Sequence, residues 1–152
     1  KNQLTLYQAV PIFWEDRVLA VRATGLIADA RSGKAVPFFL LPRLGGSGTL
    51  RGFDDLRFHD TKAFVINAEY RYPFWNIGIN NGVNEGLAGD IVLFMDTGMV
   101  FHSFSNDVKY NNLSTNYGFG IRLRRKNGVM GRGMIAHSKE TTRFVVSIGR
   151  DF

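Results

Sequence analysis

Apolar and polar residues alternate along most of this chain at the period of an extended strand. From Ala63 to Phe74, one face carries Phe64, Ile66, Ala68, Tyr70 and Tyr72 and the other Val65, Asn67, Glu69 and Arg71, a strict period of two. From Gly89 to Phe101, Ile91, Leu93, Met95, Met99 and Phe101 share a face opposite Phe94, Asp96 and Gly98. From Asn116 to Arg124, Tyr117, Phe119, Ile121 and Leu123 oppose Gly118, Gly120, Arg122 and Arg124. From Thr142 to Phe152, Phe144, Val146, Ile148 and Phe152 oppose Val145, Ser147, Gly149 and Asp151. Gln3–Ile12, Arg17–Ala28 and Val129–His137 are weaker strands; Gln8 and Arg132 interrupt the apolar rows of the first and last. Each of the seven can supply the ~9–11 residues of a tilted membrane crossing. Glu15-Asp16 and Lys126-Asn127-Gly128 read as tight turns. Asp29 to Lys62 and His102 to Asn112 are long connections, and Trp75 to Gly86 is long where the alternation calls for a short one. Short turns at one end and long loops at the other are typical of outer-membrane barrels.

Alternation alone does not separate a membrane barrel from a soluble sandwich, since each has one apolar and one polar face. Three features tilt the reading toward the barrel. The polar faces carry Gly, Asn and Ser rather than Lys and Glu. Aromatic residues close the apolar faces: Tyr70, Tyr72, Phe74 and Trp75, then Phe101, then Phe152, as in an interfacial girdle. Several strands also exceed the five or six residues usual in a sandwich. The connection from Asp29 to Lys62 holds Val36, Phe38, Phe39, Leu40, Leu41, Leu44, Leu50, Phe53, Leu56 and Phe58. Those residues predict a loop that folds against something rather than a disordered one.

Composition sharpens this picture. The 152 residues include 17 glycines and 13 phenylalanines, and no cysteine. That count excludes disulfides, thiolate metal sites and a cysteine nucleophile. The longest apolar run, Ala35 to Pro42, is eight residues, far short of the ~20 of a spanning helix. The formal charge of +6, from 19 Lys+Arg against 13 Asp+Glu, suits a basic lumen or contact with anionic lipid headgroups. Other chemistry finds little support. Gly45-Gly46-Ser47-Gly48 lacks the strand-to-helix setting of a nucleophile elbow and the Lys of a phosphate loop. His59, His102 and His137 stand at no metal-ligand spacing. The run Arg122 to Lys126 reads as lumen and turn, not as a nucleic-acid patch. No cofactor, no metal and no nucleic-acid partner is expected.

The segment Leu41-Pro42-Arg43-Leu44-Gly45-Gly46-Ser47-Gly48-Thr49-Leu50-Arg51-Gly52-Phe53 resembles the signature of the BamA/TamA superfamily of outer-membrane assembly and secretion barrels. Glu69, within Asn67-Ala68-Glu69-Tyr70-Arg71-Tyr72-Pro73, and the Phe-x-Asp-x-Gly run Phe94-Met95-Asp96-Thr97-Gly98 follow in the order of that family. The stretch Phe144 to Phe152 resembles a C-terminal outer-membrane recognition signal, carried by Phe144, Val146, Ile148, Gly149 and Phe152. The resemblance implies an all-β antiparallel transmembrane barrel, of which residues 1–152 are the C-terminal seven or so of sixteen strands. It also implies a loop at about 29–62 folded into the lumen, fastened by Arg51, Gly52, Phe53, Glu69, Asp96 and Gly98. The implied function is non-enzymatic assembly or insertion of outer-membrane proteins at a weak seam. A polypeptide secretion pore, an anchor for an upstream lipase-like domain and a soluble binding module are the alternatives. The implied partners are the bilayer with its lipopolysaccharide, unfolded outer-membrane proteins and accessory assembly proteins. Elementary electrostatics agrees: two carboxylates on one wall repel unless they share a cation, and arginine has the fork for it. Arg51 is therefore expected within hydrogen-bonding distance of Glu69, Asp96 or both.

Overall fold

The computed structural model describes residues 2–12, 17–29, 35–77, 86–104, 107–125 and 128–149. Its strands are β1 (Asn2–Pro11), β2 (Val18–Ile27), β3 (Arg43–Leu44), β4 (Phe58–His59), β5 (Lys62–Ile77), β6 (Leu87–Phe101), β7 (Ser114–Arg125), β8 (Gly128–Ser138) and β9 (Thr142–Ile148). Seven form one antiparallel sheet in the order β1-β2-β5-β6-β7-β8-β9, while β3 and β4 pair inside the long loop. The sheet is open, with β1 and β9 as its edges. All seven strands expected from alternation are present. β5 runs past Pro73, which cannot donate to the ladder, and the register shifts there between Pro73 and Trp75. The turns expected at Glu15-Asp16 and Lys126-Asn127, most of Trp75 to Gly86, and Phe152 lie outside the described residues.

The two faces of the sheet invert the order of a water-soluble protein. One face is open and apolar: Leu93, Met95, Phe119, Ile121, Val146 and Ile148 are all exposed. The other is covered and polar, and Asn67, Glu69, Arg71, Asp90, Asp96, Asn116, Arg122 and Arg132 are buried on it. Pairing settles the facing of the two ambiguous strands. Gln8 pairs with Val21 and so lies on the apolar face, whereas Arg132 pairs with Arg122 on the polar one.

Two residues of the apolar face depart from expectation. Met99 and Phe101 have its parity, yet both are buried. The Phe101 ring is wedged between Phe64 (6.3 Å) and Phe104 (4.8 Å), because the chain after β6 folds back over the end of the sheet. That connection is stapled by Asp107, whose Oδ2 accepts from the backbone N–H groups of Ser103 (2.8 Å) and His102 (3.1 Å). Those two donors hold the Asp107 carboxyl below its ordinary pKa. A depressed carboxylate stabilises the fold above its unfolded pKa, and the contribution is lost as pH falls through the folded value. A carbon-13 titration of Asp107 should accordingly give a midpoint below that of a free aspartate. A midpoint at or above the free value would mean the staple does not form.

Candidate functional site

Pairing lines up the polar face in rows across the strands. One row reads Arg22, Asn67, Asp96, Asn116, Ser138, from β2 through β8. The adjacent row reads Ala20, Glu69, Phe94, Gly118, Ala136, Arg143, from β2 to β9. Glu69 and Asp96 are thus diagonal neighbours on adjacent strands, with no side chain of the wall between them.

The loop between β2 and β5 folds onto these rows. Gly45 (φ 116°) and Gly46 (φ 84°) make the sharp turn that other residues reach only with strain. The Gly46 N–H donates to the Phe53 carbonyl at 3.0 Å, and the Phe53 N–H to the Leu50 carbonyl at 3.1 Å. The tip therefore closes on itself with Arg51 and Gly52 at its apex. Leu44, Leu50 and Phe53 are fully buried against Leu26, Ala63 and Val65. Each such side chain contributes ~1.5–3 kcal/mol of burial. Not every apolar loop residue is covered. Phe38, Phe39 and Leu40 are exposed on the 3₁₀ turn after Pro37, and Leu56 is exposed further along the loop. On that turn Phe38 meets the His59 ring edge at 4.9 Å and the Arg43 guanidinium at 4.7 Å.

Arg51 is 2% exposed and spans both acids. Its Nε and Nη2 donate to the two oxygens of Asp96 at 2.9 and 2.6 Å, a two-pronged pair, and Nη1 donates to Glu69 Oε1 at 2.5 Å. The guanidinium lies 3.8 Å over the Phe94 ring, a cation–π contact, and Met134 Sδ is 3.6 Å from Nη1. Burial works against its charge. The hydrogen bond to Asp96 and the fields of both carboxylates outweigh that, so the guanidinium is held above its ordinary pKa. Asp96 also accepts from the Arg51 backbone N–H and from the amides of Asn67 (2.8 Å) and Asn116 (2.9 Å). Glu69 Oε2 pairs with Arg71 at 2.9 Å.

Gly52 serves close approach rather than backbone freedom. Its φ is not positive. A Cβ there would stand 2.6 Å from Asn116 Cβ and 3.2 Å from Ser138 Cβ: the apex lies flat on the wall. Gly98 is similar, with a Cβ position 2.6 Å from the Phe64 carbonyl oxygen. Gly118 leaves the space that Phe94 fills beneath Arg51, since a Cβ would fall 2.5 Å from that ring. Gly52→Ala should lift the apex and cost ~1–3 kcal/mol of overpacking. Limited proteolysis of the loop would read this, and an unchanged cleavage rate would mean the apex does not sit on the wall.

The structure thus brings together Arg51, Gly52, Phe53, Glu69 and Asp96, with Gly98 one row away. Sequence reading gave no role to Arg22, Asn116 or Met134, and cited Asn67 and Phe94 only as members of their motifs. Arg22 donates to Asn67 Oδ1 at 2.8 Å and to the Gly48 carbonyl at 2.6 Å, and Asn67 to the Thr49 carbonyl at 2.6 Å. The polar parity of Asn67 and Asn116 was visible; their cross-strand position beside Asp96 was not. At the other end of the sheet, Phe144, Val146 and Ile148 project outward, and Gly149 (φ 69°) follows β9 with its N–H donating to the Met130 carbonyl at 3.1 Å. Among the described residues no group of three or more His, Asp or Glu side chains could hold a metal ion.

No curated protein and no solved structure matches the chain. The model of the Omp85 superfamily domain matches residues 1–152. Taken with a sheet that covers its polar face and opens its apolar one, and with the barrel resemblance carried by the Arg51, Glu69 and Asp96 motifs, this match places the chain in the Omp85 superfamily.

Proposed function

We propose that the chain is the C-terminal part of an outer-membrane barrel that assembles other outer-membrane proteins, by pairing incoming strands at a weak seam. The observation that carries this reading is the buried Arg51–Glu69–Asp96 cluster, which fastens a long loop across the inner wall. The loop is fixed there by charge-assisted hydrogen bonds while the outer face stays apolar. No catalytic constellation is required. The mechanism is mechanical: a seam opens, an unpaired strand edge is exposed, and the edge templates a substrate strand by β-augmentation. The loop braces the lumen while the wall deforms. The bilayer with its lipopolysaccharide surrounds the outer face, and unfolded outer-membrane proteins are the substrates. The sixteen-strand count, the inward loop at about 29–62 and the C-terminal signal through Phe152 belong to this proposal.

Reconstitution tests it. Liposomes carrying the full-length protein should insert unfolded outer-membrane barrels faster than empty liposomes, and a disulfide across the seam should abolish the gain. Transport of one dedicated polypeptide, without general insertion, would favour a secretion pore instead. Removing Phe152 should impair insertion of the protein in cells while leaving its refolding in detergent largely intact. Equal loss in both assays would make Phe152 a packing residue rather than a signal.

A further inference from the structure

The returning arm of the loop, just after the buried tip, meets the edge of the sheet. Arg143 stands on β9, at the end of the row that begins at Ala20 and Glu69. Its Nη1 donates to the Phe53 carbonyl. The same guanidinium lies 3.6 Å from Asp54 and 3.7 Å from Asp55. From the other side, Arg57 of the loop reaches Glu140 at 3.1 Å. The signs are crossed: acids then a base on the loop, against an acid then a base on the hairpin. One alignment of the two segments satisfies all of them. The hairpin geometry makes this possible. Ser138 and Thr141 close a tight turn, with the Ser138 N–H donating to the Thr141 carbonyl at 2.9 Å and Ser138 Oγ accepting from the Glu140 and Thr141 N–H groups. That turn presents Glu140 and Arg143 toward the loop.

Among the described residues β9 is the shortest strand of the sheet, seven residues, and β8 is the neighbour it pairs with. A strand that short is sensitive to any further contact. We propose that Arg143 and Glu140 are positioning residues that tie the loop to the edge strand, so that docking of the loop and pairing of β9 are coupled. Asp54 and Asp55 are about three-quarters exposed, and such pairs are weak and screened by salt. The tie is therefore a releasable one, unlike the buried cluster around Arg51. It rests on the assembly reading only for its consequence at a seam; the coupling itself needs no substrate.

Hydrogen–deuterium exchange on the full-length protein in lipid nanodiscs tests the coupling. Arg143→Ala should speed exchange both at β9 and in the loop arm Asp54–Phe58, by roughly tenfold or less given one charged hydrogen bond and weak ion pairs. Coupling is reciprocal, so Arg51→Ala should also speed β9, and should add little once Arg143 is gone. Arg143→Lys should restore part of the protection. Should Arg143→Ala fail to fold, raising salt on the unaltered protein from 0.1 M to about 1 M, where screening shortens to ~3 Å, should speed the same two segments together. Faster exchange at β9 alone would reduce Arg143 to a strand stabiliser. No change at either segment, or fully additive effects of Arg51→Ala and Arg143→Ala, would also overturn the proposal. Loss of insertion activity with the exchange coupling intact would count against the assembly reading alone.

Discussion

Arg51→Ala should release the loop while the sheet survives. Removing one partner of a buried ion pair costs ~3–5 kcal/mol, and here the loss is eased because each acid keeps other partners. Glu69 retains Arg71, and Asp96 retains the amides of Asn67 and Asn116. The penalty therefore falls on the loop, which loses a buried cation and its contact with Phe94. Protease cleavage between residues 45 and 58 should rise steeply, with heat-stable barrel mobility on gels retained. Arg51→Lys should restore little, since an ammonium cannot grip both Asp96 oxygens and Glu69 at once. Wild-type protection of the loop in Arg51→Ala would sink the idea that this residue fastens it.

Phe119→Arg should be nearly as costly, for the opposite reason. Phe119 is 56% exposed and sits centrally in β7, in an outward row with Tyr70, Leu93, Ile135 and Phe144. In water, an exposed residue of this kind changes stability by about ±0.5 kcal/mol when substituted. In a bilayer, arginine near the midplane costs ~2–4 kcal/mol. Urea titration of the protein folded in vesicles should show the larger loss. A change within the smaller range would mean that this face meets water. The same substitution thus separates the membrane barrel from a soluble module without any functional assay.

The strands were legible because side-chain direction has a period of two and the chain obeys it. Phe64 to Tyr72 and Tyr117 to Leu123 needed no tertiary information. The acids were legible by parity, and Arg51 through the Arg-Gly-Phe motif. What parity cannot supply is register. Asn67, Asp96 and Asn116 are 49 positions apart from first to last in the chain, yet pairing sets them side by side. The same gap hid the contact role of Phe94, legible only as a motif residue, and of Met134, both of which meet the Arg51 guanidinium. Burial by a neighbouring segment is also invisible in alternation, which places Phe101 on the apolar face without showing the Phe104 ring that covers it. Phe38 and Phe39 show the converse: hydrophobicity required a partner, but the turn after Pro37 directs them away from the wall.

The two asparagines beside Asp96 carry a consequence for the order of events. Both amides belong to the wall, not to the loop, and both point at the carboxylate that receives Arg51. The acceptor is thus set largely by side chains of the sheet, with the Asn67 amide also donating to the Thr49 carbonyl of the loop. A preoriented acceptor requires little rearrangement when the tip seats. The sheet can therefore form first and take the loop afterwards, and a loop that is withdrawn returns to a site whose geometry has been kept for it.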